Sequence, residues 1–141
     1  MKIDVILSLR GQQTYMGQEP DVIELVTDGT LERLPDGWML CYEESALTGL
    51  EGVTTTFLIQ DDRITLTRTG KLQSQMVFRQ GISHDSLYQM DFGALMIRVC
   101  ATKISYKLSE KGGNIDLNYT IEIEHSAAGT VDYHLEITRK S

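Results

Sequence analysis

A chain of 141 residues with 41% hydrophobic content can close one core and is too short for two comfortable ones, so a single domain spanning residues 1–141 is expected. Its net charge of −7 sets up a field that repels phosphate backbones and anionic headgroups, which argues against nucleic acid or a membrane surface as a partner. The opening MKIDVILSLRGQQ is broken by Asp4, Ser8 and Arg10 and fits neither a signal h-region nor a span, and Cys41 and Cys100 lack metal-type spacing. Two reduced, buried thiols, a cytosolic location and no zinc site are therefore expected.

In chain order, the first segment KIDVILSLRG places Ile3, Val5, Leu7 and Leu9 on one parity, the period of two that marks a half-buried strand. DVIELVT, GWMLCYEE, TTTFLIQ, RITLTRT and SQMVFRQ follow, then GALMIRVC and KISYKLS. NIDLNYTIEIE has the cleanest pattern, with Ile115, Leu117, Tyr119, Ile121 and Ile123 on one face and Asn114, Asp116, Asn118, Thr120, Glu122 and Glu124 on the other. Val131, Tyr133, Leu135 and Ile137 repeat it at the end. TDGT, LPDG, QDDR, RTGK, EKGGN and SAAGT read as the turns between them. About ten short strands result, with no helix-length stretch of period 3.6.

Many antiparallel strands joined by short connections bury one parity best as an up-and-down closed barrel, which also removes exposed edges. An all-β barrel of about 8–10 strands is the expected fold. GISHDSLYQMDFG, residues 81–93, is longer than a hairpin needs, and is expected to fold over one mouth.

DVIELVTDG, YEESALTGLEGVTTTF, LTRTGKLQSQMVF, YQMDFGALMIRV and LNYTIEI together resemble, in order and over nearly the whole chain, the small YwiB-like proteins of Firmicutes, described as calycin-like β-barrels of unknown function. The resemblance implies a lipocalin-type barrel, whose lumen in better-known relatives often holds a small molecule. It implies no chemistry, no cofactor and no functional residues.

Glu43 and Glu44 invite reading as an acid pair. Neighbours on a regular strand point to opposite faces, so the two cannot converge on one reacting bond unless a bulge reorients them. Glu44 shares the parity of Trp38, Leu40 and Tyr42. Arg68 shares that of Ile64 and Leu66, so it points inward near a barrel mouth and needs a partner, because an uncompensated buried guanidinium costs several kcal/mol. Glu44 is the candidate. The plainer reading is a structural ion pair; the functional one holds Arg68 ready for a carboxylate or phosphate ligand; the third extends Arg68 into water along its apolar stem. Tyr42, Tyr106, Tyr119 and Tyr133 sit at apolar parities, as core rings or, if the lumen is open, as its polar handles. The candidate ligand-binding set is Arg68, Glu44, Tyr42 and Tyr119.

His84, His125 and His134 are not brought together by the pattern, so no metal is expected. Ser45, Ser83 and Ser86 read as turn residues although SHDS holds triad residue types, and Lys71 lacks a phosphate-loop context. No catalytic constellation is present. Two functions stand against each other: a barrel binding a small molecule, and a structural or interaction module, homodimeric in one form, that uses second-parity apolar residues Ile6, Ile23, Leu25, Met39, Cys41 and Met96 or the 81–93 loop.

Overall fold

The alternation in the sequence becomes an alternation of burial in the computed structural model, which describes residues 2–14, 19–44, 50–90 and 93–140. Along β1 (Lys2–Thr14), Ile3, Val5, Leu7 and Leu9 are buried and Asp4, Ile6, Ser8 and Arg10 are exposed. Nine further strands follow: β2 (Asp21–Leu34), β3 (Gly37–Glu43), β4 (Val53–Gln60), β5 (Arg63–Gly70), β6 (Ser74–Phe78), β7 (Ser83–Met90), β8 (Gly93–Ser109), β9 (Gly112–Ile123) and β10 (Ser126–Arg139). The described residues contain no helix, and so none long and apolar enough to cross a membrane.

All ten strands form one antiparallel sheet in the order β6-β5-β4-β3-β2-β1-β10-β9-β8-β7. Each strand therefore lies beside its sequence neighbour, with one exception: β6 and β7 are the two ends of the sheet. They meet through a reciprocal pair of 2.8 Å backbone hydrogen bonds between Gln73 and Gln89 and through the bridge of Arg79 with Ile82. This is the expected up-and-down barrel, with the seam between consecutive strands.

Four expectations give way. The 81–93 stretch is not an irregular cover but contributes β7 to the wall; its inward residues His84, Ser86 and Tyr88 are polar or amphipathic, so no apolar alternation announces a strand. GALMIRVC and KISYKLS join into the single strand β8, and a bulge between Ala101 and Lys103 moves the inward parity from Ile97 and Val99 to Ile104 and Tyr106. TDGT is not a turn. β2 runs straight through it, and Gly29 passes so close to β1 and β3 that a Cβ there would sit 2.7 Å from the Cys41 carbonyl oxygen and 3.0 Å from Leu7. The β9–β10 turn likewise falls before SAAGT, on Glu124 and His125, with φ of 51° and 67°; Glu124 is held there by accepting the Met96 N–H at 2.8 Å.

The core is layered. Three rows of inward residues cross β3 to β6 in register: Trp38–Ile59–Ile64–Phe78, then Leu40–Phe57–Leu66–Met76, then Tyr42–Thr55–Arg68–Ser74. The first two rows, with Leu7 and Leu31, plug one end of the barrel with bulky apolar side chains. The third row is polar, and it is buried as well.

Candidate functional site

Beyond the polar row the lumen opens into a cavity of about 550 Å³. A ten-stranded wall encloses more width than the eight-stranded barrels that side chains can just fill, and here the filling stops halfway. Leu9, Ile97, Ile121, Ile123 and Val131 supply apolar wall, while Tyr42, Glu44, Arg68, Tyr88, Tyr119 and Tyr133 supply the polar groups.

Arg68 stands at the floor of this cavity. Register places it between Thr55 of β4 and Ser74 of β6, and it is only 8% exposed. Its Nη1 donates to the Tyr88 hydroxyl at 3.1 Å. The Nε, also buried, has no hydrogen-bond partner, and Glu44 Oε2 is 4.0 Å away, near enough for Coulombic attraction and too far for a hydrogen bond. Burial works against the guanidinium's charge, but Tyr133, Tyr88, Tyr119 and Glu44 around it more than offset this and hold its pKa above the ordinary arginine value.

Glu44 is turned toward other partners. Its Oε2 accepts the Thr55 hydroxyl at 2.6 Å, and the Tyr42 hydroxyl bonds the same carboxylate. Burial first, then the Glu44 charge, push the Tyr42 phenol well above its usual range. Tyr119 is raised too, chiefly by burial and next by Tyr133, to which it is hydrogen-bonded. Tyr119 packs on Phe78 with ring centroids 4.6 Å apart and on Tyr133 at 6.2 Å. Gly11, paired with Tyr133, leaves room for that ring: a Cβ on it would approach Tyr133 Cε1 to 3.0 Å.

The four candidate residues Arg68, Glu44, Tyr42 and Tyr119 thus all line one cavity. Glu43 is exposed while Glu44 is buried, as strand alternation requires. Tyr106 lies away from this cavity, in a shallow recess with Asp61, Asp62 and Arg79. Sequence reasoning missed Thr55, Ser74 and Tyr88. Thr55 and Ser74 share the parity of Phe57 and Met76 and were within reach of that rule; Tyr88 was hidden by the loop reading.

The remaining candidates disperse. His84 Nδ1 accepts the Val77 backbone N–H at 3.4 Å in the β6–β7 seam. Asp85 faces out to Arg98, with bonds of 2.6 and 3.1 Å, so the SHDS residues form no triad. Ser45 lies outside the described residues. His134, on the outer face, sits 2.6 Å from Asp116 and 3.0 Å from Glu136, and both raise its pKa, Asp116 more. Among the described residues no group of three or more His, Cys, Asp or Glu side chains could hold a metal ion. Of the second-parity apolar set, Ile23 and Leu25 prove to share the inward parity of Leu31, Leu25 at 5% exposure: β2 carries apolar residues on both parities, so composition could not choose its face. Ile6 is exposed, and beside it Val26, at 70%, was not anticipated.

Comparison with known proteins bears on the fold. The family model described as "Domain of unknown function (DUF1934)" matches residues 7–137. The crystal structure of the ywiB protein from Bacillus subtilis is similar at a TM-score of 0.87 and 20% identity, over 99% of this chain and 94% of that one. No curated protein matches.

Proposed function

The chain belongs to the DUF1934 family, whose description carries no activity, and from the geometry we propose that it is a small-molecule-binding barrel that takes its ligand in the open half of the lumen. One observation carries this reading: a buried arginine with a hydrogen-bond donor left unpartnered at the floor of a cavity of about 550 Å³. Such a volume falls inside the range of small-molecule sites, about 300–1,000 Å³, in which apolar walls supply burial and a few polar groups fix orientation. Water against the Leu9, Ile97 and Val131 wall would be poorly hydrogen-bonded, so an apolar ligand gains by displacing it. The free thiols of Cys41 and Cys100, half-buried rather than buried as expected, suit a reducing compartment such as the cytosol.

A second reading, a homodimeric interaction module, draws on Ile6 and Val26, which lie diagonally across the β1–β2 ladder. They stand among charged side chains, with Lys140 on Asp28 at 2.9 Å and Arg10 beside Glu24 at 3.6 Å, so this face is mixed in character rather than a continuous apolar patch.

Native mass spectrometry of gently purified protein separates the two. An extra mass on the monomer that disappears on denaturation, and that is absent from the cavity-filling variant Val131→Trp, supports the binding barrel. A dimer without extra mass, broken by Val26→Glu, supports the interaction module instead.

A further inference from the structure

The groups facing the cavity are unequal in number and in charge, and the inequality selects a class of ligand. Consider the donors first. Arg68 Nε–H is unpartnered. Tyr88 receives the Arg68 Nη1 bond on its oxygen, which leaves its own proton to donate. The bond between Tyr119 and Tyr133 uses one of their two protons and leaves the other. The carboxylate of Glu44, by contrast, already accepts from Thr55 and is bonded by Tyr42. Two of that carboxylate's roughly four acceptor sites are thus taken, and the donors left on Arg68, Tyr88 and the Tyr119–Tyr133 pair call for an acceptor on the ligand.

The charges decide what kind of acceptor. Arg68 is the one cation among the described lining residues, and Glu44 and Asp21 are both present. Glu44 Oε2 lies 4.0 Å from Arg68 Nε, so the positive charge is already balanced. A carboxylate or phosphate entering here would be desolvated beside Glu44 with no second cation to offset it, and the chain's net charge of −7 adds to the opposition. An uncharged carbonyl meets no such penalty and still takes a charge-assisted hydrogen bond from the guanidinium.

We propose that the lumen binds an apolar molecule carrying an uncharged acceptor, a ketone or ester carbonyl, which the Arg68 guanidinium and a tyrosine hydroxyl receive, and that Glu44 excludes acids. The proposal rests on the binding-barrel reading above and names its ligand class.

The test compares 2-nonanone, methyl octanoate and octanoate by titration calorimetry at about pH 7.5, where a carboxylate is ionised. The wild type should bind the ketone and ester at least about tenfold more tightly than octanoate. Arg68→Met should weaken the two carbonyl probes. Glu44→Gln should raise the affinity for octanoate relative to that for the ketone by about tenfold or more. Wild-type octanoate binding as tight as that of the ketone would overturn the ligand class and leave the binding barrel standing. If none of the three probes binds, and native mass spectrometry shows no bound mass, both fall.

Discussion

Arg68→Met exchanges the buried guanidinium for an apolar side chain of similar length and leaves Glu44, at 3% side-chain exposure, without its counter-charge. At the 4.0 Å separation the bare attraction is about 4 kcal/mol for an effective dielectric near 20. Removing one member of such a buried pair costs about 3 kcal/mol or more, because the surviving charge stays desolvated, whereas replacing both by uncharged groups is often neutral or stabilising. Arg68→Met should thus lose about 3 kcal/mol, a little relieved by the bonds Glu44 keeps to Thr55 and Tyr42. The double variant Arg68→Met/Glu44→Gln should return to within about 1 kcal/mol of the wild type. Urea unfolding followed by the fluorescence of Trp38, the single tryptophan, measures all four corners of the cycle. Additive losses, with a coupling below about 0.5 kcal/mol, would refute the electrostatic account and leave Arg68 an independent side chain.

The layered core makes a paired prediction: Leu40→Ala, in the plugged end at 0% exposure, should cost about 4 kcal/mol, whereas Leu9→Ala, on the cavity wall, should cost about 2 kcal/mol because it only widens existing space; denaturation midpoints decide. Gly11→Ala brings a Cβ to 3.0 Å from the Tyr133 ring, so it should cost about 1 kcal/mol and displace the ring, visible as shifted Tyr133 resonances. His134 has its pKa raised by Asp116 and then Glu136, so its contribution to stability is complete below the ordinary histidine pKa and is lost as pH rises through the raised folded value. With the imidazole 43% exposed, the loss is screened to less than about 1 kcal/mol; it should vanish in His134→Gln when stabilities on either side of that window are compared.

Strand alternation is a property of neighbouring residues, and whatever depends on it could be read from the sequence. Ile3 to Leu9 and Ile115 to Ile123 announce their faces by period two alone. The same parity sends Glu43 out and Glu44 in, and carries Arg68 inward behind Ile64 and Leu66, so the inward placement of Arg68, Glu44, Tyr42 and Tyr119 is legible in the sequence. Partnership across strands is long-range, and there the local signal ended. β7 escaped because a strand whose inward residues are His84, Ser86 and Tyr88 has no apolar alternation to see; β2 turned its Ile23 and Leu25 inward because both of its parities are apolar. The bulge after Ala101, the seam between β6 and β7, and the half-filled lumen follow from how ten strands close on one another. So does the site's central feature. Sequence proposed Glu44 as the partner of Arg68, but only the register that sets Tyr42, Thr55, Arg68 and Ser74 in one row turns the carboxylate to Thr55 and Tyr42 and leaves the guanidinium Nε without a hydrogen-bond partner.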